Sequence, residues 1–133
     1  MRLQTVTESH EVSAGEAAAS QLMGVFSPTE ATQWGAAVTR VPREVEEELE
    51  SLDVALYTAA WVAYSGKLIS VLALQGPGQQ STMLPTSQCQ YLDARVTLDH
   101  PVVLGSGFAV LIRNPALTAG DWLTVSYTYR RKG

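Results

Sequence analysis

The chain has one cysteine, Cys89, and two histidines, His10 and His100, among its 133 residues. A lone thiol excludes internal disulfides, so the fold must stand on packing, and nothing ties it to an oxidising compartment. Two histidines and a cysteine scattered in this way do not complete a tetrahedral zinc site without carboxylate help. Charge is also scarce: 17% of the residues are Asp, Glu, Lys or Arg, against about a quarter in ordinary domains. The net charge of −4 argues against the basic footprint of a nucleic-acid binder. The start, Met1-Arg2-Leu3-Gln4-Thr5-Val6-Thr7-Glu8, lacks the apolar run of a secretory signal, so use without export by that route is expected. Residues 54–74 are apolar over the length of a membrane span. Ser65-Gly66-Lys67 interrupts them, however, and a lysine at the bilayer centre is costly. No membrane association is expected.

Signatures of chemistry are missing too. Ser106, near Asp99 and His100, stands in Leu104-Gly105-Ser106-Gly107-Phe108, which is not the Gly-x-Ser-x-Gly elbow of a hydrolase. Gly66-Lys67 has no glycine five positions before Gly66, and Gly105-Ser106-Gly107 lacks the third glycine of a dinucleotide fingerprint. Cys89 enters an apolar run, where a cysteine is usually a small buried side chain. The acidic residues Glu44, Glu46, Glu47, Glu48, Glu50 and Asp53 cluster without resembling a calcium loop. No catalytic, cofactor-binding or metal-ligating residue is assigned, and the chain is read as a non-enzyme.

What is present is alternation, clearest in the last third. Leu92, Ala94, Val96 and Leu98 alternate with Tyr91, Asp93, Arg95 and Thr97; Phe108, Val110 and Ile112 alternate with Ala109, Leu111 and Arg113. Leu123, Val125, Tyr127 and Tyr129 alternate with Trp122, Thr124, Ser126, Thr128 and Arg130. A period of two puts one face on a core and the other outside it. Tyr127 and Tyr129 are therefore read as core tyrosines. Gly- and Pro-bearing turns separate the runs. Residues 54–64 and 67–74 read as the arms of a hairpin turning at Ser65-Gly66, and residues 35–41 as a short strand stopped by Pro42. Residues 2–13 read as extended.

Helix is expected in one place. Val45, Leu49, Leu52 and Leu56 fall at i, i+4, i+7 and i+11 after Pro42, with acids in the first turns. That pattern predicts a short helix near 42–52. Ser13-x-x-Glu16 and Ser27-x-x-Glu30 also fit a capping box and leave short surface helices open as an alternative there. The expected architecture is a single mainly-β domain over residues 1–133, an antiparallel β-sandwich or jelly-roll-like barrel with that one helix. Residues 1–13 are available in it as an extended N-terminal arm.

The segment Ala94-Arg95-Val96-Thr97-Leu98-Asp99-His100-Pro101-Val102-Val103-Leu104-Gly105-Ser106-Gly107, the strand 108–113, and Thr118-Ala119-Gly120-Asp121 leading into a strand that ends at Tyr129 form one pattern. It resembles the closing strands of jelly-roll domains in viral particles, and in length and cysteine poverty the chain is similar to phage head decoration (cement) proteins. The resemblance covers about forty residues, carries no catalytic motif, and has no counterpart for the acidic stretch 44–53. It implies a virion structural protein, made in the host cytoplasm and seated on the capsid surface. The implied partners are other copies of the chain, a homotrimer first, and a major capsid protein. The contact residues expected are Arg2 and Leu3 in the arm, Trp34, and Trp122, Arg130 and Arg131 in the tail, because aromatic and arginine anchors dominate such interfaces. The alternative is a small carbohydrate- or cell-surface-binding sandwich that uses exposed Trp34, Trp61 or Trp122.

Overall fold

The computed structural model describes residues 3–27, 30–35, 47–64, 68–74, 82–83, 89–92, 95–98, 101–104, 107–113 and 117–131. Along the chain they form β1 (Leu3–Glu11), α1 (Ala14–Ala19), β2 (Gln21–Ser27), β3 (Glu30–Gly35), β4 (Glu47–Tyr57) and β5 (Leu68–Leu74). There follow β6 (Thr82–Met83), β7 (Cys89–Leu92), β8 (Arg95–Leu98), β9 (Val102–Leu104), β10 (Gly107–Arg113) and β11 (Trp122–Arg131). One sheet runs β1-β11-β4-β8-β7, with β9 also on β4; the other runs β3-β2-β10-β5-β6. Every pairing is antiparallel. The chain passes back and forth between the two sheets, so that first and last strands lie side by side. This is the jelly-roll form of the β-sandwich, the fold class expected.

A single apolar layer joins the sheets. Leu49, Leu52, Val54, Leu56, Val96, Leu98, Leu123, Val125 and Tyr127 come from one side, and Leu22, Phe26, Ile69, Val71, Phe108, Val110 and Ile112 from the other. Period-two alternation in β10 and β11 selects these faces. At the centre Phe26 stacks on Phe108, ring centroids 4.9 Å apart, and Tyr127 meets both edge-on at 5.8 and 5.1 Å. Such pairs add about 0.5–1.5 kcal/mol each beyond the area they bury. Burial pushes the Tyr127 phenol well above its ordinary pKa, with the Glu8 and Tyr129 charges adding to it. Gly107 sits at φ +119°, where a Cβ would stand 2.1 Å from the Phe26 carbonyl oxygen. No other residue fits that close strand approach.

The helix expected near 42–52 is corrected. Residues 47–52 belong to β4, while 42–46 lie outside the described residues. The cause is a β-bulge. Leu49 pairs with Tyr129 and Ser51 with Thr128, which leaves Glu50 as an extra residue. Leu49, Leu52, Val54 and Leu56 are all buried, yet the bulge spaces them by three, two and two, close enough to helical spacing to imitate it. Two of the acidic side chains are held by β11: Arg130 ion-pairs with Glu48 at 2.7 Å and with Glu50 at 2.8 Å.

The one helix among the described residues is α1. Ser13 and Glu16 form the complete capping box there, and Ser20 ends the helix in a left-handed conformation at φ 53°. The second candidate box is not a helix start, since Ser27 ends β2 and Glu30 begins β3. The hairpin read into 54–74 is corrected as well: β4 and β5 lie in different sheets, so the connection bridges the sandwich. The run 91–98 is two strands, β7 and β8, paired through Leu92 and Arg95. Of the strand expected over 35–41, Gly35 ends β3 and the remainder lies outside the described residues. Residues 3–11 of the expected arm are paired with β11 along their whole length. No helix among the described residues is long and apolar enough to cross a membrane.

Candidate functional site

After Tyr57, β4 turns back sharply. Trp61 N–H donates to the Thr58 carbonyl at 2.8 Å, Thr58 N–H donates to the Val62 carbonyl at 2.8 Å, and Ala63 bridges to Tyr57. Val62 N–H also donates to Thr58 Oγ1 at 3.2 Å. The turn requires a left-handed residue at its end, the position where glycine is the usual choice. Trp61 occupies it, at φ 61°. For a bulky side chain that conformation costs about 1–2 kcal/mol. The strained tryptophan is also exposed: 54% of Trp61 and 61% of Val62 face solvent.

Neighbours turn this loop into an aromatic ledge. Trp122, the first residue of β11, is the cross-strand partner of Tyr57. Its ring stacks on Trp61 with centroids 5.3 Å apart and planes 15° apart, while Tyr57 meets Trp61 at 5.7 Å. Ala59, Ala60 and Ala63 are exposed beside them, and residues 57–64 contain no charged side chain. The product is an uncharged, largely apolar loop stacked on Trp122, flanked by the exposed Glu11 opposite Trp122 on β1, on a molecule whose adjoining sheet face is polar. That face carries Ser9, Thr5, Thr7, Ser51, Thr97, Thr124, Ser126 and Thr128.

A buried acid fixes the ledge. Asp121, 3% exposed, accepts hydrogen bonds from the Tyr64 hydroxyl and from Thr118 N–H, the latter at 2.8 Å. Its backbone carbonyl accepts from Val12 N–H at 2.8 Å, and Gly120 N–H donates to the Val12 carbonyl at 3.0 Å. One residue thereby ties the end of β1, the 118–121 turn and the Trp61 loop together. Partial burial, then the hydrogen bond and charge of Asp121, push the Tyr64 phenol up to about 12.

Two other polar clusters lie outside the ledge. Glu16, buried, accepts from His10 Nε2 at 2.9 Å and from Ser13 N–H at 2.8 Å, and the His10 ring stacks on Trp34 at 4.3 Å. This resembles the orienting half of a catalytic triad, but no nucleophile stands on the imidazole among the described contacts. It closes the β1–β3 edge of the sandwich instead, helped by Thr32 Oγ1 donating to Glu8 at 2.6 Å. On the outer face of β4 and β8, Arg95 binds Asp53 in bidentate fashion, Nε at 2.7 Å, and Thr97 adds a bond at 3.3 Å. That is a neutralised pair on an open sheet. Among the described residues no group of three His, Cys, Asp or Glu could hold a metal ion.

The expected contact residues fall in different places. Trp122 is in the ledge. Arg130 stands at the other end of β11, eight residues and roughly 27 Å away, held by Glu48 and Glu50. Leu3 is exposed at the start of β1. Trp34 lies over Gly24, where a Cβ would come within 2.7 Å of its ring, and edge-on to Phe26 at 5.2 Å. Its packing inside the sandwich edge explains its partial burial. Arg131 ends β11, its side chain outside the described residues, as are Arg2, Asp99, His100, Ser106 and the side chain of Cys89. Missing from the expected contacts were Trp61, Val62 and Tyr57 as one surface, and Asp121 as its support. The run of apolar residues around Trp61 carries no glycine or asparagine to mark a turn. The chain matches no protein-family model, no curated protein and no solved structure.

Proposed function

We propose that the chain is a non-enzymatic virion structural protein, a capsid decoration subunit that stabilises a phage head through protein–protein contacts. It works on the capsid surface as a homo-oligomer, a trimer first, with the major capsid protein as partner and the Trp61 ledge as the contact. The observation that carries the reading is a strained yet exposed Trp61, braced by Trp122 and Tyr57. A strained backbone conformation persists where its surroundings hold it, and such outliers gather at functional positions. Burying an aromatic anchor contributes about 25 cal/mol per Å², enough for one residue to dominate an interface.

The alternative, a carbohydrate- or cell-surface-binding module, draws on the same tryptophans, since sugar rings stack on indole faces. The ledge suits a protein better. Trp61 covers a face of Trp122 instead of lying coplanar with it, and the next residue is the apolar, exposed Val62. Co-sedimentation with shells of a candidate major capsid protein, run beside a fluorescence titration with glycans, separates the two. Binding to shells together with a trimer in light scattering supports the decoration reading. Glycan-dependent fluorescence from a monomer that ignores shells overturns it.

A further inference from the structure

β1 forms the outer edge of the first sheet. Its nine residues pair with β11 on one side without a register shift. Among the described residues, no strand pairs with its other side. Edges of this length are templates for another strand unless charged side chains, proline, a bulge, shortness or a covering helix or loop blunts them. Leu3-Gln4-Thr5-Val6-Thr7-Glu8-Ser9-His10-Glu11 has no lysine or proline and no bulge, and of its two carboxylates Glu8 is already engaged by Thr32.

We infer that β1 is a surface joining two copies of the chain, one β1 antiparallel to the other about a two-fold axis through Thr7. The first sheet then runs unbroken from copy to copy. The inference rests on the self-association part of the reading above; a two-fold contact does not itself close a trimer, so it gives dimers or joins two trimers into a hexamer. It does not involve the Trp61 ledge.

Self-complementarity selects the register. Residues opposite each other must share a face, so odd positions meet odd positions and the axis passes through a residue. Centred on Thr7, all nine residues pair: Leu3 with Glu11, Gln4 with His10, Thr5 with Ser9, Val6 with Glu8, and Thr7 with itself. No like charges stand directly opposite, and the two Glu8 side chains lie on a diagonal across the axis. Centring on Glu8 would oppose two carboxylates, which is destabilising, and centring on Val6 leaves His10 and Glu11 beyond the described strand. The hydroxyl rows also continue across the axis. Thr5 already bonds Thr128 at 2.8 Å and Thr7 bonds Ser126 at 3.2 Å on that face. Thr7 against Thr7 and Thr5 against Ser9 extend the same rows. An extended peptide from another protein would use this edge equally well, but the matched register specifies an identical partner.

Thr7→Lys and Thr7→Glu test it, because Thr7 is exposed and its one described side-chain bond is to Ser126, and circular dichroism checks that both variants fold. Sedimentation velocity over a dilution series should show wild type in even-numbered assemblies. Each variant alone should weaken that association at least about tenfold. An equimolar mixture should restore it, with a lysine opposite a glutamate in a mixed species seen by native mass spectrometry. A wild type that stays monomeric, or an assembly indifferent to both substitutions, overturns the inference. An indifferent trimer does so while leaving the three-fold reading standing.

Discussion

Trp61 bears a backbone cost and returns little of its surface to the core. Its left-handed conformation opposes folding by about 1–2 kcal/mol, and its contacts with Trp122 and Tyr57 offset a comparable amount. Asparagine tolerates the same conformation. Trp61→Asn should therefore change unfolding free energy by no more than about 1 kcal/mol in urea titrations, although a tryptophan is lost. A cost of several kcal/mol would mean that the ring serves the fold and not a partner. Tyr64 makes a separate prediction. Its folded pKa of about 12 exceeds its ordinary 10.0, so the folded state holds the proton more tightly. Its stabilising contribution is intact below pH 10 and is lost as pH rises through 12. Urea titrations across that window should show a fall in stability that is shallower in Tyr64→Phe; an unchanged slope would mean that the Tyr64–Asp121 hydrogen bond does not stabilise the fold. Tyr127, also raised, accounts for part of the residual fall.

Elements differ in how openly their sequences declare them. β11 was legible because Leu123, Val125 and Tyr127 alternate without interruption and the strand is wet on its other face. β4 was not, because the bulge at Glu50 shifts the phase of its apolar residues and because a run of acids suits a helix start. The facing Arg130, some eighty positions away in the chain, partners Glu48 and Glu50 in the strand, and Arg95 partners Asp53. The capping box of α1 was visible, but its decisive feature is tertiary: Glu16 also takes the His10 imidazole from β1. Hence Ser13→Ala should cost about 1 kcal/mol, the usual loss of a cap. Glu16→Ala should cost about 2–3 kcal/mol, since it strips partners from both the cap and the β1–β3 edge. Equal losses in thermal unfolding would show that the His10 bond contributes nothing. The ledge was illegible for a comparable reason, as no glycine announces the turn at Trp61 and its partner Trp122 lies in another strand.

At the scale of the molecule, the jelly roll brings β1 and β11 side by side and sets two surfaces apart. The apolar ledge stands at the end of the sandwich where β4 turns, and the edge of β1, unpaired among the described residues, runs along its side. The chain's poverty in charge and its Ser/Thr-rich outer face fit a molecule built to be covered. Whether the ledge binds a capsid lattice is decided by the affinity for capsid shells of wild type and Trp61→Asn, measured side by side. Wild type should bind saturably and the variant should lose at least about tenfold in affinity, with both proteins equally folded. Equal affinity of the two proteins, or no binding by either, would contradict binding through the ledge.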